Sequence, residues 1–159
     1  MRVFYKSKLA KWMLWQGYST ITLGCFVFTK KSKAEMKTRV LNHEAIHVRQ
    51  WEECMIASMV LLTLVMSVTG FNVWMYLLCP LWFYLQYGLE YAVSRVYHSF
   101  KGIHGADGNK ISYGNSAFEM EAKSNEEIDR YLDVRRPFEF ARYYGKYDFN
   151  LQNEIIVNC

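Results

Sequence analysis

The chain has 159 residues, 52% of them hydrophobic, 17% aromatic and 21% charged, with a net charge of +4. This length suits a single domain over 1–159 and excludes two full cores with a linker, and the composition excludes a disordered chain. Residues 1–42 carry nine Lys/Arg and one acid, Glu35; such an arm either meets phosphates or simply solubilises a surface, and with no nucleic-acid motif beside it no nucleic-acid partner is expected.

Near the amino terminus, Lys6, Lys8 and Lys11 precede an apolar run that breaks at Gln16-Gly17, too early for a signal peptide. A short basic helix with Phe4, Trp12 and Trp15 suits a membrane surface or the flank of the domain. "STITLGCFVFT" is β-branched and aromatic, which predicts a strand or short hairpin over 20–29. Gly24 inside it marks a bulge or a close backbone approach. "KKSK" at 30–33 reads as a turn. No Pro or Gly interrupts 34–69, which predicts one helix opening near Ala34–Glu35.

From Cys54 to Leu89 there is no charged residue. The run predicts an apolar helical hairpin over 54–91, with arms Met55–Val68 and Val73–Tyr91, a turn at Thr69–Asn72 and a kink at Pro80. Two bare apolar helices strain a domain of this size, so membrane lipid is an expected partner. Trp74, Trp82, Tyr76, Tyr84 and Tyr87 suit interfacial belts, and the basic flanks put both ends on the cytoplasmic side. Residues 99–114 hold four glycines and read as a loop. Helices resume near Asn115–Ser116 and fill 115–145, with a turn at Pro137. The tail 147–159 ends in "EIIVNC", an added strand or a frayed end. Cys25, Cys54, Cys79 and Cys159 form no C-x-x-C pair, which fits a reducing compartment better than a disulfide framework. The fold class expected is mainly α with a small β element (α+β).

"RVLNHEAIHVRQWEE" (39–53) holds His43, Glu44 and His47 as H-E-x-x-H. Two His four apart share one helical face and reach one Zn2+ ion. Glu44 then projects toward the attacking water, whose proton it takes and passes to the leaving amine. Gln50, one turn beyond His47, reads equally as a local hydrogen-bond partner or an exposed side chain. The third ligand is open between carboxylates and histidines. Glu119 and Glu121 are two apart on one helix and cannot both face the ion. Glu90 is isolated in an apolar helix, with Arg95 as a loose ion-pair partner; His98 and His104 are less natural ligands. Tyr113, His104 and Tyr131 are candidates to steady an oxyanion.

"TITLGCFVF" followed by "LNHEAIHVRQ" resembles the gluzincin pattern of zinc metallopeptidases. There, an edge strand T-x-G-x-x-I/V precedes a helix with H-E-x-x-H-x-x-Q. "FEMEAK" is similar to the E-x-x-A-D segment of the CAAX-prenyl-endopeptidase and BlaR-type membrane metallopeptidases. The overall layout resembles small bacterial membrane-associated H-E-x-x-H proteins. The resemblance implies a gluzincin-like H-E-x-x-H helix, an apolar hairpin and a downstream Glu-bearing helix. It implies zinc held by His43, His47 and Glu119, Glu44 as general base, and a peptide or protein substrate paired along the strand at Thr22 and Gly24. It also implies a bacterial inner membrane, with the active site on the cytoplasmic side. The family's Asp falls at Lys123, a departure that removes a carboxylate able to orient a ligand. The alternative is a non-catalytic membrane protein, a sensor or adaptor, with a structural zinc site.

Overall fold

The computed structural model describes residues 1–14 and 18–146. Trp15 and the tail from 147 onward, with its expected strand and Cys159, lie outside the described residues.

The amino-terminal arm folds as a strand, β1 (Arg2–Phe4), and one short helix, α1 (Lys8–Met13), capped where the Ser7 hydroxyl accepts from Ala10 N. The 20–29 segment is a hairpin and not one edge strand: β2 (Thr20–Leu23) and β3 (Phe26–Thr29) pair antiparallel, Thr22 opposite Val27. Gly24 opens the two-residue turn with φ +61°, a conformation that only glycine adopts cheaply. A Cβ there would lie 3.3 Å from the Trp51 ring, so the close approach predicted for Gly24 is present. β1 runs parallel to β3 on the far side, giving sheet order β1-β3-β2 and leaving β2 at an edge.

The long helix α2 spans Thr38–Thr69, not 34–69. Ser32 and Glu35 form a capping box that closes a separate 3-10 turn (Lys33–Glu35), and Met36 is extended before α2 begins. Its exposed residues before Cys54, Thr38, Arg39 and Arg49, are polar or charged, and beyond Cys54 they carry no charge. Among the described residues one helix, α2, is long and apolar enough to cross a membrane.

The hairpin is present, but its second arm differs from a single kinked helix over 73–91. Val73–Leu81 winds as a 3-10 segment, and α3 then runs Trp82–Phe100, nine residues past the expected end. Pro80 explains the change. It has no N–H, and its ring crowds the carbonyl four residues back, so α-helical bonding cannot pass through it. The Trp51 indole N–H, 3.0 Å from the Pro80 carbonyl, fastens the joint to α2.

The glycine-rich 99–114 stretch is not a loop: α4 occupies Gly105–Gly114. A Cβ at Gly108 would meet the Ile103 carbonyl, in the turn before α4, at 2.9 Å and the Arg95 guanidinium of α3 at 3.1 Å. α5 (Ala117–Asn125) starts where predicted, with Ser116 Oγ accepting from Glu119 N. A four-residue helix, α6 (Tyr131–Val134), and a 3-10 turn (Glu139–Tyr143) complete the described chain. The core lies between α2, α3 and α5: Cys54, Phe83, Phe118 and Phe140 are buried together, with Trp51, Tyr84 and Tyr87 against them. The fold is mainly α with a small β element, as the sequence predicts.

Candidate metal centre

His43 and His47 face inward from α2, and Glu119 meets them from the first turn of α5, across the whole hairpin in sequence. His43 Nε2 and His47 Nε2 are 3.1 Å apart. Glu119 Oε1 is 3.2 Å from His47 Nε2, and Oε2 is 3.6 Å from His43 Nε2. One donor atom from each of the three residues lies within 4.8 Å of the others.

Partners on the far side of each ring decide what those donors offer. Gln50 Nε2 donates to the Phe118 carbonyl (3.1 Å) and to Glu121 Oε2 (3.0 Å), both pure acceptors, so its Oε1 must face His47. His47 Nδ1–H therefore donates to Gln50 Oε1 at 2.8 Å. His43 Nδ1–H likewise donates to Glu126 Oε2 at 2.8 Å. Both Nε2 atoms are aimed at one another and at the Glu119 carboxylate. A metal ion, or a proton that Glu119 holds on His47 against the effect of burial, reconciles the three groups. Their spacings bracket the edge, about 3.4 Å, of a tetrahedron with bonds of about 2.1 Å. The donor set, two imidazoles and one carboxylate, suits a zinc-like ion.

Glu119 is almost fully buried and is also held by the Tyr87 hydroxyl, which donates to Oε1 at 2.8 Å. Burial alone pushes its carboxyl up. The His47 hydrogen bond and charge, then the His43 and Lys123 charges, outweigh burial and hold it well below the usual carboxylate range. The other candidates fall elsewhere. Glu121 is turned into a knot with Arg135: Arg135 Nε donates to Glu121 Oε1 and Nη1 to Glu53 Oε1, each at 2.5 Å. Glu90 accepts from Ala117 N at 2.9 Å, at the start of α5. Arg95 does not pair with it, engaging Asn109, Ser99 and the Ile103 carbonyl instead. His98 is buried beside Ser94 and Ser112, and His104 is exposed at the start of α4.

Glu44 is buried and is not part of the cation cluster. Its Oε2 accepts from the Thr22 hydroxyl at 2.5 Å, which ties it to β2. A cavity of about 320 Å³ opens over Glu44, His43, His47 and Glu119. Thr22, Ile21, Leu23, Phe83, Tyr87 and Tyr113 form much of its wall. Gly24 is not in that wall; its N–H donates to the Tyr84 hydroxyl at 2.6 Å. Of the three oxyanion candidates, Tyr113 is the one at the cavity. Tyr131 instead donates to Glu121 Oε1 at 3.1 Å. Burial first, then the Glu119 charge, push the Tyr113 phenol far above its usual range, so it stays a proton donor.

One residue at this centre, Glu126, escapes sequence reasoning, and for a second, Gln50, sequence leaves two readings open. Glu126 is the carboxylate that orients His43: it follows Glu119 by two helical turns and is itself gripped by Arg39 Nε at 2.6 Å. Gln50, for which sequence alone does not separate a local bond from exposure, is fully buried. The periodicity of the segment after Glu119 is a signal for Glu126, because positions 119 and 126 share one face.

Comparison with family models, curated proteins and solved structures returns no match.

Proposed function

We propose that this chain is a membrane-associated zinc metallopeptidase that hydrolyses peptide bonds by activated water, at the cytoplasmic side of a bacterial inner membrane. The observation that carries the reading is the convergence of two His Nε2 atoms and the Glu119 carboxylate beside Glu44, under an open cavity. His43, His47 and Glu119 hold the zinc ion, which when bound polarises the scissile carbonyl and acidifies water.

The chain's own groups do the rest. Glu44 takes the proton of the attacking water and passes it to the leaving amine. Thr22 holds one Glu44 oxygen, leaving the other for that transfer. Tyr113 donates to the carbonyl oxygen as negative charge develops there. β2, at the sheet edge beside Glu44, takes an extended peptide as an added strand. The aromatic wall of Phe83, Tyr87 and Tyr113 suits an apolar side chain next to the scissile bond.

Metal analysis and peptide cleavage test the two halves separately. Purified protein should hold one zinc ion per chain, and His43→Ala should lose it. Glu44→Gln should keep the ion and slow cleavage about 10²–10⁴-fold. Zinc retained with equal behaviour of Glu44→Gln and the natural chain across a peptide library would make the ion structural.

A further inference from the structure

We infer that the hairpin and the outer face of α3 form a seat for bilayer hydrocarbon, with the hairpin entering and leaving from the same side and its tip ending inside the bilayer. This deepens the membrane half of the proposed function and is independent of the metal.

Between Cys54 and Phe100 there are two charged residues, Glu90 and Arg95, and both are turned inward onto protein partners. Every exposed residue of that segment is uncharged. The exposure is large: Val68 87%, Phe71 73%, Trp74 71%, Leu89 67% and Phe100 89%. A surface of this size without a charge is not one that water covers.

The polar groups of the hairpin give a second, independent indication. Each exposed hydroxyl bonds back into the helix that carries it. Thr63 donates to the Met59 carbonyl at 2.8 Å, Ser67 to Leu64 at 2.7 Å and Thr69 to Val65 at 3.0 Å. At the tip, Gly70 N donates to the Met66 carbonyl at 3.0 Å, and the Asn72 side chain accepts from Trp74 N at 3.1 Å. Internal closure of this kind is what hydrocarbon demands, because no water is there to help.

The distribution of the apolar residues selects lipid over a second copy of the chain. On α2, Met59, Val60 and Leu61 are exposed in succession, as are Leu64 and Val65. At about 100° per residue these positions span an arc of about 240°, two thirds of the helix circumference. One docked protein face covers a narrower arc than this, whereas a surrounding apolar solvent covers all of it. On α3 the exposed apolar residues Leu85, Leu89, Val93, Val96 and Phe100 follow one stripe. That pattern fits a helix lying at the interface with one face in the acyl region. The opposite face of α3 supplies Phe83 and Tyr87 to the cavity. α3 is thus a partition one helix thick between lipid and the metal centre.

The tip stops short of the far side. From Cys54 to Thr69 α2 rises about 24 Å at roughly 1.5 Å per residue, less than the ~30 Å of a hydrocarbon core. Thr69-Gly70-Phe71-Asn72 offers no charge to the far headgroups, while Arg49 stands exposed just before the hairpin.

The test uses the full chain in phosphatidylcholine–phosphatidylglycerol vesicles. With the native cysteines replaced, Phe71→Cys and Arg49→Cys are each labelled with an environment-sensitive fluorophore. Label at 71 should shift to the blue and be quenched by lipids spin-labelled deep in the chain; label at 49 should do neither. On unlabelled Phe71→Cys protein, a membrane-impermeant maleimide should reach the introduced thiol from neither side until detergent is added. Reaction from the far side would overturn the same-side path, and absence of deep quenching would overturn the lipid seat. On the otherwise natural chain, Leu85→Asp with Leu89→Asp should lower vesicle partitioning about tenfold or more with helix content by circular dichroism unchanged. Unchanged partitioning, or a soluble dimer that ignores vesicles, would overturn the role of α3. Zinc binding measured on the same samples reports separately on the metallopeptidase reading.

Discussion

Glu126 shows how much a single side chain decides at this centre. It fixes the His43 tautomer and is fixed in turn by Arg39. Glu126→Gln should lower zinc affinity about 10–100-fold with the ion still binding, read by competition with a chromophoric chelator. Glu119 makes a pH prediction. Its carboxyl sits below the ordinary 4.5 when folded, so the unfolded chain protonates it first. Its contribution to stability is full above about pH 4.5 and is lost as pH falls below that toward the folded value. Urea unfolding of metal-stripped protein from pH 6 to 3 should show that loss, and Glu119→Gln should flatten it. The ligand pair is legible in the sequence because His43, Glu44 and His47 lie within about one helical turn. Sequence also shows that Glu119 and Glu121 must face apart, but not which faces the ion. That choice is made by Arg135, which takes Glu121, and no local pattern reveals a partner so far along the chain.

At the scale of elements, α2 and α5 are bound by a buried polar seam. Gln50 reaches the Phe118 carbonyl and Glu121, and Arg135 joins Glu121 to Glu53 of α2. Arg135 is 2% exposed at its side chain, so its removal strands two buried carboxylates. Arg135→Ala should lower stability by about 3–5 kcal/mol, measured by chemical denaturation, and should loosen zinc because the seam positions Glu119. Local signals explain which elements are legible. The unbroken 34–69 run announces α2, and the Asn115-Ser116 pair announces the start of α5. α4 escapes because four glycines suggest a loop; Gly108 leaves room for the Ile103 carbonyl and the Arg95 guanidinium from α3, a demand set partly by tertiary structure. The 3-10 winding before Pro80 escapes for a similar reason, since a proline announces a break but not the geometry that absorbs it.

Over the whole molecule, the mainly α class and the hairpin follow from the uncharged run, and the small sheet from one β-branched stretch. The parallel pairing of β1 with β3 does not, because Arg2–Phe4 is too short to carry a pattern. The aromatic core and the α2–α5 seam are made of protein contacts alone. Chelation should therefore lower the melting temperature while leaving far-ultraviolet circular dichroism intact, unlike a zinc finger, which unfolds. The position of Glu119 also sets an order of events. The entire hairpin lies between it and His47, so during synthesis the two histidines are made long before their third partner. They form a complete site only after the hairpin has folded back and α5 has docked. A nascent or half-assembled chain therefore lacks the complete His43–His47–Glu119 cluster, and under the proposed function its activity would wait until α5 has docked.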